Sequence, residues 1–183
     1  MNWHKVNVDG RQFWHYRQQL DNECGPSCVA MISRIMNHDL MDPSITRKWV
    51  AQFDQRHHES FKPDWNRDWS YITSLQFALT QLKIRSARTI TGANTERYRT
   101  LLWRRTTANK PSIVRVQWSP GGGHFIVCLG RSSAHGAAKL NFLDPANDAG
   151  LMTVHEWMLI PSYNPPYSMV AGYLDKNYLV TTC

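Results

Sequence analysis

Residues 18–28 read Gln-Gln-Leu-Asp-Asn-Glu-Cys-Gly-Pro-Ser-Cys and place a cysteine, Cys24, where a helix is predicted to begin. Apolar residues recur at helical spacing from Cys24 to Asn37, and Cys28 lies on that apolar stripe as a small hydrophobic residue. The unsatisfied backbone N–H groups and the positive dipole end at a helix start stabilise a thiolate, which is the form of cysteine that attacks carbonyl carbon. This stretch therefore predicts a nucleophile at the start of a helix.

The elements around this helix change from helical to strand period in the middle of the chain. Apolar spacing and capping signals predict three further helices, over 43–53, from a cap at Asp68 through Leu82, and over 95–105. Alternating apolar residues predict four strands, over 112–118, 124–129, 139–143 and 172–181, and 56–67 is expected to be a mobile loop. Helices followed by strands indicate an α+β fold in which an N-terminal helical layer packs on a C-terminal antiparallel sheet.

Composition supports one folded domain over residues 1–183. The chain has 42% hydrophobic and 19% charged residues, which is typical of a globular protein. No stretch approaches the roughly 18 apolar residues of a membrane helix, and the first residues lack the apolar run of a secretory signal. Four cysteines are too few for a disulfide scaffold of this size. We therefore expect a soluble protein, made in a reducing compartment, that does not act at a membrane.

The net charge of +7 raises the question of nucleic-acid binding. The basic residues form no dense run and no nucleic-acid motif is present, so that class is not favoured. The interval 83–118 holds nine basic residues and one acid, Glu96. It is interpreted first as a solvated face and alternatively as a docking surface for an acidic substrate or an acidic inhibitor protein.

Metal binding is not predicted either. His57, His58 and Glu59 are consecutive and lack the i, i+4 spacing of a helical zinc site. Cys24 and Cys28 have no second cysteine pair to complete a zinc site.

Two further motifs could supply the groups that a nucleophilic Cys24 needs. Gly121-Gly122-Gly123 precedes His124 at the start of a predicted strand, and Asp144-Pro145 ends the next predicted strand. Each alone is an ordinary turn or strand terminator. A cysteine nucleophile needs a base, however, and the base needs a group that orients it. Neighbouring antiparallel strands could bring His124 and Asp144 together, facing the helix that starts at Cys24.

A tetrahedral intermediate also needs hydrogen-bond donors for its oxyanion. The backbone N–H of Cys24 is one candidate donor. The side-chain amide of Gln18, six residues upstream, is the other.

The order Gln18, Cys24-Gly25-Pro26-Ser27-Cys28, Gly123-His124-Phe125-Ile126-Val127 and Phe142-Leu143-Asp144-Pro145 resembles that of the papain-like (clan CA) cysteine peptidases. It is most similar to the bacteriocin-processing double-glycine peptidase domains and to papain-fold effector proteases that bacteria inject into other cells. The resemblance implies a papain-like fold in which Cys24 is the nucleophile, His124 the general base and then acid, Asp144 the orienting group, and Gln18 the second oxyanion donor. Gln19 takes that last place if the register slips by one. No metal or organic cofactor is implied.

The chain departs from the transporter-linked peptidases because no membrane span or ATPase follows. The expectation is a free-standing bacterial toxin or effector protease that cleaves a protein substrate. It would act in the cytoplasm, reached by secretion or injection without a signal peptide, and an immunity protein would protect the producing cell. Two alternatives stay open, a catalytically silent papain-like peptide-binding module and a glutamine deamidase or amidase on the same fold.

Overall fold

The computed structural model of the chain describes residues 2–57, 70–89, 100, 102–118, 123–133, 139–146, 150–155 and 172–182. Within those ranges lie the helices α1 (Cys24–Asn37), α2 (Pro43–His57) and α3 (Ile72–Gln81). The strands there are β1 (Trp3–Val8), β2 (Arg11–Tyr16), β3 (Ser86–Thr89), β4 (Ser112–Trp118), β5 (Gly123–Arg131), β6 (Lys139–Leu143), β7 (Leu151–His155) and β8 (Gly172–Thr182).

Six of the strands form one antiparallel sheet in the order β3-β8-β4-β5-β6-β7. The other two, β1 and β2, pair with each other as a hairpin. The fold is therefore α+β, with helices in the N-terminal half and an antiparallel sheet in the C-terminal half, as the sequence predicts. In the described part of the chain, no helix combines the length and the apolar character needed to cross a membrane.

Helix α1 lies at the centre of the molecule. All of its first ten residues are buried, and it packs against α2, α3, β2 and β5. It therefore buries more than the single stripe expected of a surface helix. A Cβ on Gly25 would lie 2.8 Å from Cβ of Ser70 and 2.9 Å from Cδ2 of Leu75. Only glycine at this position lets the chain entering α3 approach the start of α1.

Most predicted elements are present with adjusted ends. Helix α1 and strands β4 and β6 have the predicted bounds, whereas α2 runs to His57 and therefore includes the first two residues of the predicted mobile loop. Tyr71, not Asp68, is the N-cap of α3, and Asp68 lies outside the described residues. Residues 58–67 and 90–99 also lie outside them, and of the predicted helix over 95–105 only positions 100 and 102–105 are described, as helical.

The prediction that the first half is helical is wrong for residues 3–16, which form the β1–β2 hairpin. Its turn is Asp9-Gly10, with φ of 49° and 80°. A two-residue Asp-Gly loop with positive φ is a strong hairpin signal, and buried Val6, Val8 and Phe13 supply the strand period on either side of it. The short strands β3 and β7 were not predicted either.

Candidate active site

The fold brings the three predicted chemical positions to one place. Cys24 is the first residue of α1, His124 is the second residue of β5, and Asp144 directly follows β6. β5 and β6 are antiparallel with Val127 opposite Leu143, so the start of β5 lies beside the residue that follows β6. Because α1 packs against β5, its first residue can face this edge of the sheet.

His124 and Asp144 form a buried pair. Nε2 of His124 lies 2.7 Å from Oδ1 of Asp144, and the two residues are 6% and 0% exposed. The same Oδ1 accepts a hydrogen bond of 2.8 Å from the backbone N–H of Ala146. An aspartate that bonds the N–H two residues on is held by its own turn, so the carboxylate orientation is set locally.

The imidazole of His124 stands between Asp144 and Cys24. Burial alone would lower the pKa of His124, but the charge and hydrogen bond of Asp144, with a hydrogen bond to the Cys24 side chain, raise it to about 10. Since Asp144 occupies Nε2, Nδ1 is the ring nitrogen left for the thiol. At neutral pH His124 is therefore an imidazolium ion, which places a positive charge next to the Cys24 side chain.

The other described cysteines do not share this environment. Cys28 and Cys128 are both fully buried, and burial is the main cause that raises the pKa of each thiol, to about 12 for Cys128. Neither thiol is suited to act as a nucleophile.

The β1–β2 hairpin and the residues after it hydrogen-bond to the backbone of the Asp144-Pro145 turn. His15 on β2 lies with Nε2 2.8 Å from the carbonyl oxygen of Asp144, and the backbone N–H of Gln18 donates to the carbonyl of Pro145 at 2.9 Å. Burial lowers the pKa of His15 to about 4, so the ring is neutral and its Nε2–H donates to that carbonyl. Sequence reasoning missed His15; the alternation of buried Phe13 and His15 along β2 is the signal that could have identified it.

The opposite end of the hairpin is also fastened to the sheet. At its turn, the Asp9 carboxylate accepts hydrogen bonds from the Ser132 hydroxyl, the Ser133 backbone N–H and the Asn141 amide. The hairpin is therefore held at both ends, and His15 has a fixed position relative to Asp144.

Gln18 lies where its backbone meets the Asp144-Pro145 turn, and its side chain is half-buried. Its Nε2 donates to the carbonyl of Leu20 at 3.1 Å, and its buried Oε1 has no hydrogen-bond partner in the described structure. Gln19 is exposed, and its backbone N–H donates to the buried Glu23 carboxylate. No side chain caps the start of α1, and the Cys24 N–H is one of the first backbone N–H groups, which have no acceptor within the helix.

The described residues contain no group of three or more histidine, cysteine, aspartate or glutamate side chains that could hold a metal ion. His58 and Glu59 lie outside the described residues.

In the basic interval 83–118, the side chains of Arg104, Arg105 and Lys110 are exposed. The Arg115 side chain is half-buried and occupies the space that a Cβ on Gly123 would need, next to His124.

No protein-family model matches the chain, and no curated protein matches it. Among solved structures, the crystal structure of the Pseudomonas avirulence protein AvrPphB is similar over 88% of this chain and 90% of its own. The identity is 12% and the TM-score is 0.42. A similarity at this level has no bearing on reaction or substrate.

Proposed function

We propose that the protein is a cysteine peptidase in which Cys24, His124 and Asp144 form the catalytic triad. The observation that supports this most directly is the buried His124 imidazole, bonded at 2.7 Å to Asp144 on one side and to the Cys24 thiol on the other. This is the nucleophile, base and orienting group that acyl transfer requires.

The reaction follows from these positions. The Cys24 thiolate attacks the peptide carbonyl carbon, and the oxyanion accepts hydrogen bonds from the Cys24 N–H and the Gln18 amide. The C–N bond breaks as His124 gives its proton to the leaving amine, and the acyl group stays on sulfur as a thioester. Neutral His124 then takes a proton from water, and the hydroxide attacks the thioester. The acid product leaves, and the thiolate and imidazolium are restored.

The biological setting is proposed from the motif resemblance. The substrate is a protein, and the enzyme is a bacterial toxin or effector that acts in the cytoplasm after delivery. An acidic immunity protein in the producing cell is part of this proposal.

The proposal is tested by mapping new N-termini. Purified protein is incubated with bacterial and eukaryotic cell extracts, and N-terminal peptides are quantified by mass spectrometry. We expect new N-termini with the wild type and with Cys28→Ala, the matched control one helical turn further on. We expect none with Cys24→Ala.

Two other results would overturn the peptidase assignment. A deamidase would be indicated if substrate glutamine were converted to glutamate with release of ammonia and no new N-termini appeared. A peptide that binds equally to the wild type and Cys24→Ala, with no product from either, would indicate a silent binding module.

Gln18→Ala is expected to lower kcat by about 100- to 1,000-fold with little change in KM, because an oxyanion donor acts mainly in the transition state. Gln19→Ala serves as the control and is expected to leave both constants unchanged, since Gln19 is exposed. Both are measured on a peptide taken from a mapped cleavage site. A larger loss with Gln19→Ala would transfer the oxyanion role to that residue.

A further inference from the structure

A cavity of about 310 Å³ lies between the β1–β2 hairpin and the C-terminal end of α1. Lys5, Arg11 and Arg34 line it together with the aromatic rings of Phe13 and Trp14. None of the proposed catalytic residues is part of it. Arg34 is ten residues from Cys24 along α1, about 15 Å at the helical rise, so the cavity is separate from the candidate active site.

The three cations of this cavity are held over aromatic rings. Nζ of Lys5 lies 5.2 Å and Cζ of Arg34 5.7 Å from the centre of the Trp14 ring, and Cζ of Arg11 lies 5.4 Å from the centre of the Phe13 ring. Cation–π contacts restrict long side chains, so less freedom is lost when a ligand binds.

Among the described residues, these cations have no counter-charge: no acidic side chain lines the cavity, and none forms an ion pair with any of the three. The hydrogen-bond acceptors of the two arginines are neutral: Arg11 donates to Oδ1 of Asn109 and Arg34 to the carbonyl of His38. Like charges gathered without a counter-ion repel one another, and an anionic ligand would relieve that repulsion.

We propose that this cavity binds an acidic segment of a partner protein. Arg11 and Trp14 are three residues apart on β2, about 10 Å along the strand, so the charge of Arg11 lies apart from the two charges that meet at the Trp14 ring. A chain with several acidic side chains can match that spacing better than a single small anion. Lys5 and Arg11 are exposed at the rim, which leaves the cavity open to a macromolecule.

This surface differs from the basic interval 83–118: among the described residues of that interval, only Asn109 lines the cavity. Its positive charges come from β1, β2 and α1 and are assembled by folding. The proposal stands independently of peptide hydrolysis, because binding is measured without turnover.

The test measures the fluorescence anisotropy of a labelled hexaglutamate peptide titrated with the full chain at low and at physiological salt. The double variant Lys5→Gln/Arg11→Gln is expected to weaken binding by about tenfold at low salt. The matched control, Lys48→Gln/Arg56→Gln, removes the same charge from exposed positions on α2 and is expected to bind as the wild type does.

Three results would overturn the proposal: no binding by the wild type, equal losses in the two double variants, or displacement of the peptide by pyrophosphate at equal charge concentration. The last would indicate a small-anion site. Photo-crosslinking of a hexaglutamate peptide to the wild type provides a second measurement that needs no folded variant. Crosslinks are expected within 5–14 and 34–38, and crosslinks confined to α2 would contradict the assignment.

Discussion

At pH 6, iodoacetamide should modify Cys24 of the folded wild type at least about 100-fold faster than Cys24 of His124→Ala, while the fully buried Cys28 and Cys128 stay slow in both proteins. An unperturbed thiol is about 0.3% thiolate at that pH, so the alkylation rate of a cysteine held as a thiolate can rise by up to about 300-fold. The gain is smaller than this limit because a stabilised thiolate is a weaker nucleophile. His124 is protonated there because Asp144 and Cys24 raise its pKa. Peptide mass mapping of time-resolved samples gives the rate at each cysteine.

The control for this experiment is a histidine at the other end of the same helix. His38 is the C-cap of α1, exposed and in the left-handed conformation with φ of 64°. Asparagine tolerates that conformation, so His38→Asn should keep the fold and leave the rate at Cys24 unchanged. If Cys24 is as slow as Cys28 in the wild type, the assignment of a thiolate–imidazolium pair is wrong for the free protein.

The helix that carries Cys24 and the strands that carry His124 and Asp144 could be predicted because their signals are local. A 3.6-residue period defines α1, and β5 and β6 are consecutive strands, which usually pair. Pairing of consecutive strands is enough to bring the start of β5 next to the residue that ends β6. The pairing of His124 with Asp144 follows from these two short-range regularities.

The hydrogen bonds that hold the Asp144 turn in place could not be predicted in the same way. The hydrogen bond from His15 to the Asp144 carbonyl joins residues 129 positions apart. Likewise, β8 lies between β3 and β4, so the C-terminal strand enters the sheet far from its neighbours in sequence. Hydrophobic period says which face of a strand is buried and nothing about which distant strand lies beside it. Such contacts depend on tertiary packing.

The position of the cationic cavity could not be predicted from local sequence either. The densest basic interval, 83–118, predicts a solvated face or a docking surface, whereas the cavity is lined by Lys5, Arg11 and Arg34, which are well separated in the chain. Two of these cations meet at one ring, Trp14, only because β1, β2 and α1 pack together. A count of basic residues along the chain therefore cannot locate such a site.

Asp144→Ala should lower the free energy of unfolding at pH 7 by about 3–5 kcal/mol, the usual cost of removing one partner of a buried ion pair. Asp144 is completely buried, and the change leaves the His124 Nε2–H and the Ala146 N–H without their acceptor. Urea unfolding followed by circular dichroism measures the loss. Asp144→Asn should cost less, because its side-chain oxygen keeps an acceptor in the same place while the charge is removed.

The pH dependence separates the charge of Asp144 from its packing. The folded-state pKa of His124 is raised from 6.5 to about 10, so its contribution to stability is fully present below pH 6.5 and is lost as pH rises through 10. Over that window wild-type stability should fall by up to about 1.4 kcal/mol per pH unit from this group. In Asp144→Asn the charge that raises the pKa is gone, so the difference between the two proteins should shrink from pH 7 to pH 9. Parallel stability curves over that range would mean that the Asp144 charge does not hold the proton on His124, and the triad would lose its imidazolium.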